Sequence, residues 1–238
     1  MPARRRGMKA GTNRGVWGCR SSLECEGGAM AIDEAVLDSL PAERLEVIGP
    51  KVRDGDILLC SAHDPFSRLI GWSTESPWSH VAIACRWGEE DRIMAFECVD
   101  RIGVHAVALD RFISQTSDGT TPYPGKIILA RHDDITARRN KTEDDGLKPM
   151  VDFAIDHMGD RFSGVEIAKI GARIALGRLD HHMPKVFAAK DGFICSEYVA
   201  ACLATLGIEI PWDGLGFIAP ADIANDPKVR AIGRFETR

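Results

Sequence analysis

The chain has 238 residues, 45% of them apolar and 27% charged, and a formal net charge of −5. That length suits one domain of ordinary size, with or without a tail, and the apolar share can bury a full core without disulfide staples. The acidic balance gives no support to a nucleic-acid role, which normally leaves a basic surface.

Met1 to Gly28 is rich in Arg and Gly, and Arg4-Arg5-Arg6 is followed by no apolar run of signal-peptide length. Residues 1–30 therefore read as a disordered tail, and Met30 opens a cleaner sequence; residues 31–238 are expected to form a single domain. No later segment reaches transmembrane length, since Val199 to Ile210 is short and broken by Gly207. Seven cysteines stand at 19, 25, 60, 85, 98, 195 and 202, with no Cys-x-x-Cys pair that would suggest a zinc ribbon or a thioredoxin-like motif. Cys60, Cys85 and Cys98 lie in apolar runs and read as buried thiols of a reducing compartment, so a cytoplasmic location is expected.

Ala31 to Leu45 reads as one or two short helices interrupted at Pro41. Asp54-Gly55-Asp56 is a turn signal, and Ile57 to Cys60 after it reads as a buried strand. Asp64-Pro65 opens a short helix through Gly71. Ser79 to Trp87 and Arg92 to Val99, joined by Gly88-Glu89-Glu90-Asp91, have the form of a hairpin. Gly103 to Leu109 and Lys126 to Arg131 supply two more strands. Beyond them the pattern turns helical. Leu147, Met150, Val151, Ala154 and Met158 repeat at helical spacing, Ser163 to Leu176 opens on a capping-box spacing, and Cys195 to Leu206 ends at Gly207. Strands first and helices afterwards predict an α+β domain with a largely antiparallel sheet packed against helices.

Three residues draw attention as chemistry. Cys195 falls at the first position of a predicted helix, where free N–H groups and the positive dipole end favour a thiolate and can hold an oxyanion. By position alone it is equally a small core residue, as Cys202 is. A thiolate nucleophile needs a base. His80 heads the strand Ser79 to Ala84 and shares a face with Ala82 and Ala84, which leaves room for another element such as the helix at Cys195. His132, His157, His181 and His182 read as capping or solvated residues, and His63 and His105 are weaker alternatives. Glu97 is an acidic residue within the apolar strand Met94 to Val99, and a buried carboxylate needs a partner. A hairpin turning at about residues 88 and 89 would place Glu97 opposite His80. Otherwise Glu97 is an outward-facing strand carboxylate.

Gly55-Asp56-Ile57-Leu58, Trp78-Ser79-His80-Val81-Ala82-Ile83, Phe96-Glu97-Cys98 and Phe193-Ile194-Cys195-Ser196-Glu197-Tyr198 together resemble the permuted papain-like cysteine hydrolases. These are the YiiX-like relatives of the NlpC cell-wall peptidases and of lecithin:retinol acyltransferase. The resemblance covers about residues 52–225 and includes Pro220-Ala221-Asp222-Ile223; the Arg-rich N-terminus and residues 168–184 lie outside its pattern. It implies a circularly permuted papain-like fold with His first, an acidic partner second and the nucleophilic Cys last, an order that His80, Glu97 and Cys195 follow.

The expected activity is hydrolysis of an amide, peptide-like or acyl bond through a Cys-His-Glu triad and a thioacyl-enzyme. The alternatives are a lipid acyltransferase or thioesterase on the same triad and a non-catalytic binding module. Asp56, Ser79, Trp78, Ser196 and Tyr198 are candidates for supporting the site or lining its cleft, with Phe66, Trp72 and Trp212 as further aromatic walls. The expected partner is a small peptide-like or lipid-like substrate, with no metal or organic cofactor; a metal site of His80, Cys98 and His105 is the remotest alternative.

Overall fold

The structure is a computed structural model that describes residues 31–62, 65–116, 119–140, 146–163, 192–212 and 217–237. The chain starts with α1 (Glu34–Ser39), β1 (Ala42–Glu43) and α2 (Leu45–Ile48), then β2 (Asp56–Ala62), α3 (Pro65–Ser73), β3 (His80–Trp87), β4 (Arg92–Val99) and β5 (Gly103–Ala108). After these come α4 (Leu109–Ser114), β6 (Gly125–His132), α5 (Asp133–Arg139), α6 (Lys148–Asp156), α7 (Cys195–Ala204), α8 (Pro220–Asn225) and β7 (Val229–Phe235). The helix expected over 163–176 lies outside the described residues beyond Ser163.

Among the described residues one sheet of seven strands runs in the order β1-β7-β6-β2-β3-β4-β5. Every pairing is antiparallel except β1 on β7, which is parallel. The sheet is therefore mixed rather than antiparallel throughout, and the fold class is α+β.

Strict alternation along the central strands builds two core layers, because successive side chains leave a strand on opposite faces. Ile57, Leu59, Val81, Ile83, Phe96 and Cys98 join α7 residues Tyr198, Val199, Cys202 and Leu203 on one face. Leu58, Cys60, Ala82, Ala84 and Ala95 pack on the other face with Ile48, Leu109, Phe112 and Ile113. The small Ala82 and Ala84 therefore accommodate α2 and α4, not the helix of Cys195. That helix lies on the Val81 and Ile83 face.

The β3–β4 hairpin forms where expected, with a different register. Ile83 pairs with Phe96 and Trp87 with Arg92, so Glu97 stands opposite Ala82 and not opposite His80. The four-residue turn over 88–91 is centred later than the sequence suggested, with Gly88 and Asp91 both at positive φ. A shift of this parity keeps Glu97 on the His80 face, one diagonal step away, and diagonal neighbours stay within reach of a long side chain.

Candidate active site

His80 begins β3, and the segment before it fixes where the strand starts. The Trp78 indole, buried, donates to the Ile32 carbonyl at 2.5 Å. The Ser79 N–H donates to the Cys60 carbonyl at 2.9 Å, while its hydroxyl accepts from the Ala62 N–H at 3.2 Å. These bonds fasten the start of β3 to the end of β2, and Cys60 and His80 are register partners.

From His80 the ring reaches the buried carboxylate of Glu97, with Nε2 at 2.6 Å from Oε2. The other carboxylate oxygen, Oε1, lies 3.0 Å from Nε2 of His105, which stands directly opposite Glu97 in the β4–β5 register. That second contact is within ion-pair range but off the line of a good hydrogen bond. Glu97 is 1% exposed. Burial pushes its carboxyl up, but the His105 and His80 imidazoles outweigh this and hold it down at about 2.

Cys195 is delivered from the other layer. Gly192 carries φ +133, and a Cβ there would sit 2.1 Å from the Arg161 carbonyl, so only glycine permits this close pass. Phe193 then forms a bridge with Phe162, with the Phe193 N–H on the Arg161 carbonyl at 3.0 Å. The Cys98 thiol donates to the Phe193 carbonyl at 3.3 Å and ties this segment to β4. Helix α7 begins at Cys195 after Ile194 in extended conformation, with no side chain capping its first turn. The N–H groups of its first turn therefore have no intrahelical partner.

The two layers meet at the end of the sheet, where a cleft of about 210 Å³ is lined by Cys195, His80, Cys98 and Ser79. Ile70, Val99, Phe162 and Tyr123 supply its apolar walls. For His80, burial opposes the charged ring, but the charge of Cys195, a hydrogen bond with it and the Glu97 carboxylate raise it to about 10. Glu97 occupies Nε2, so Nδ1 is the nitrogen left for the thiol. Burial pushes the Cys60 thiol well up, Cys85 to about 12, and Cys98 and Cys202 higher still.

Of the remaining sequence candidates, Ser79 lines the cleft and four do not. Asp56 pairs with Ala84, four residues along β2 from the partner of His80. It is fully buried there, accepting from Arg131 Nε at 2.6 Å and from the Arg53 N–H at 2.8 Å. Trp78 and Tyr198 are core residues, the Tyr198 hydroxyl donating to the Ala154 carbonyl at 3.0 Å. Ser196 is buried and donates to the Ile218 carbonyl at 2.5 Å, which anchors α7 to the segment before α8. Trp72 is 65% exposed, Trp212 packs partly against the helical core layer, and the Phe66 side chain lies outside the described residues.

His105 stands closer to the site than a weak alternative base: its partnership with Glu97 follows from the β4–β5 register. His132 is the capping residue it was expected to be, accepting from the Asp134 N–H at 3.1 Å, though it is buried and not solvated. No helix among the described residues is long and apolar enough to cross a membrane.

No family model matches this chain, and no curated protein matches it in sequence. Among solved structures, the fold is similar to that of the metalloprotein YiiX from Escherichia coli O157:H7. The two share 15% identity over 76% of this chain and 97% of that one, with a TM-score of 0.51. The chain therefore shares an α+β fold with YiiX.

Proposed function

We propose that this chain is a thiol-dependent acyl hydrolase of the permuted papain-like kind, with Cys195 as nucleophile, His80 as base and Glu97 holding the imidazole. The observation that carries the reading is that one imidazole, His80, meets both a thiol at a helix N-terminus and a buried carboxylate. Chain order supports it, since His80, Glu97 and Cys195 follow the order of the resembling family.

In this mechanism His80 takes the Cys195 proton through Nδ1, and the thiolate attacks the carbonyl carbon of an amide or acyl substrate. The N–H groups at the start of α7 stabilise the oxyanion of the tetrahedral adduct. His80 returns the proton to the leaving group, the carbon–leaving-group bond breaks, and a thioester remains on Cys195. Water then attacks the thioester, giving up a proton to His80 and releasing the acid as the thiol reforms. Glu97 keeps the ring in one tautomer and balances the imidazolium. The apolar walls of Ile70, Val99 and Phe162 suit an uncharged acyl or peptide-like group.

A metal is the other reading that the likeness to a metalloprotein raises, and the residues fit one poorly. Two ligands of a tetrahedral zinc with bonds near 2.0–2.1 Å stand about 3.3 Å apart. His80 and Glu97 touch at 2.6 Å, and His105 and Glu97 at 3.0 Å, both closer than two ligands of one zinc stand. Among the described residues no group of three or more His, Cys, Asp or Glu has metal-binding geometry.

The test is brief iodoacetamide treatment near about pH 6 with peptide mapping, comparing wild type, Cys195→Ala and His80→Ala. A free thiol is largely protonated at that pH and reacts slowly. Fast labelling of Cys195 that drops at least roughly tenfold in His80→Ala supports the pair. Labelling no faster than Cys85 or Cys202, or unchanged by His80→Ala, removes it.

A further inference from the structure

Glu97 has two carboxylate oxygens, and each faces a different histidine from a different neighbouring strand. Oε2 meets His80 on β3 and Oε1 meets His105 on β5. The last torsion of a glutamate is broad and roughly two-fold, so a carboxylate held at one oxygen can swing the other off its partner. Contacts on both oxygens from opposite sides stop that rotation. We infer that His105 is a positioning residue for the site: by holding Oε1 of Glu97, it keeps Oε2 on His80 and so keeps the imidazole aimed at Cys195. This rests on the reading that Cys195, His80 and Glu97 act together.

The surroundings support the assignment. The titratable groups around Glu97 besides the two imidazoles are the buried thiols Cys60 and Cys98, whose ionisation its charge opposes. From α4 the nearest ring to His80 is the apolar Phe112, with centroids 6.4 Å apart. Among the described residues the two imidazoles are the ion-pair contacts of the carboxylate. When His80 hands its proton to the leaving group, His105 is the partner still facing Glu97. The β4–β5 register brings the two side chains to neighbouring positions on one face, since Glu97 and His105 are directly paired.

The test measures Cys195 alkylation by iodoacetamide near about pH 6 in wild type, His105→Leu, His105→Gln and His80→Ala, with folding checked by circular dichroism. Gln offers a neutral N–H donor of similar reach, and Leu offers none. The expected result is a loss of roughly tenfold in His105→Leu, the scale of one lost polar contact to a charged group, with His105→Gln within about threefold of wild type. The loss in His105→Leu should fade near about pH 9, where a thiol ionises unaided. A merely structural role would shift the unfolding transition without moving the rate in folded protein. If His105→Leu does not fold, His105→Asn, a donor too short to reach Oε1, replaces it with the same expectation. Wild-type rates in His105→Leu, or equal losses in Leu and Gln variants, overturn the inference while His80→Ala still slows labelling. If His80→Ala is also without effect, the underlying site reading fails instead.

Discussion

Replacing Glu97 by Gln keeps the side chain's length and one accepting oxygen while removing the charge that His80 and His105 share. The magnitude follows from the carboxyl being held at about 2 in the folded protein, against an ordinary value of 4.5. Each unit of such a difference corresponds to about 1.4 kcal/mol, so the ionised carboxylate contributes about 3 kcal/mol at about pH 7. That agrees with the roughly 3–5 kcal/mol found when one member of a buried charged set is removed. A depressed carboxyl contributes fully above its unfolded value and loses the contribution as pH falls through its folded value. The stability gap between wild type and Glu97→Gln should thus be about 3 kcal/mol near pH 7, shrink below about pH 5 and vanish near pH 2. Urea unfolding of both proteins at several pH values measures it directly. A gap that persists undiminished near about pH 3, or one below about 1 kcal/mol near pH 7, refutes the reasoning.

Two further substitutions separate the site from its scaffold. Asp56→Ala should destabilise by about 3 kcal/mol, because Arg131 and the Arg53 N–H lose a fully buried acceptor, yet leave Cys195 labelling of the folded protein unchanged. Reduced labelling in folded Asp56→Ala would instead return Asp56 to the site. Tyr198→Phe should cost about 1 kcal/mol in urea unfolding through the lost bond to Ala154, again with Cys195 reactivity intact.

Much of the site was legible because its signals are local. Gly88 to Asp91 announced a hairpin, and alternation placed His80 with Ala82 and Ala84. A turn followed by an apolar run and a helix put Cys195 at a first turn. What the alternation could not say is which face each layer covers, because Ala82 and Val81 are both apolar and only the partner elements decide. The hairpin register needed the centre of a four-residue turn, and one misplaced residue there moved Glu97 from opposite His80 to beside it. His105 acquired its meaning only through the β4–β5 pairing, which turns on Asp100, Arg101 and Ile102. Strand β7 went unseen for a physical reason. A register shift opposite Leu129 and Ala130 sends Val229 and Phe235 into different core layers, although their spacing would put them on one face. That break erases the period of two on which strand recognition depends.

Cys195 belongs to the helical layer, whereas Glu97 and His105 face the opposite side, and His80 stands at the strand end where the two meet. The gap between thiol and imidazole is accordingly set by how two separately packed layers seat on a single sheet. The pair behaves as a gauge read across the thickness of that sheet. Loosening either layer, by warming or by a cavity far from the cleft, shifts one arm of the gauge against the other. Thiol reactivity should therefore fade before backbone order does, and a fall in labelling would announce weakening of a layer while the strands still hold.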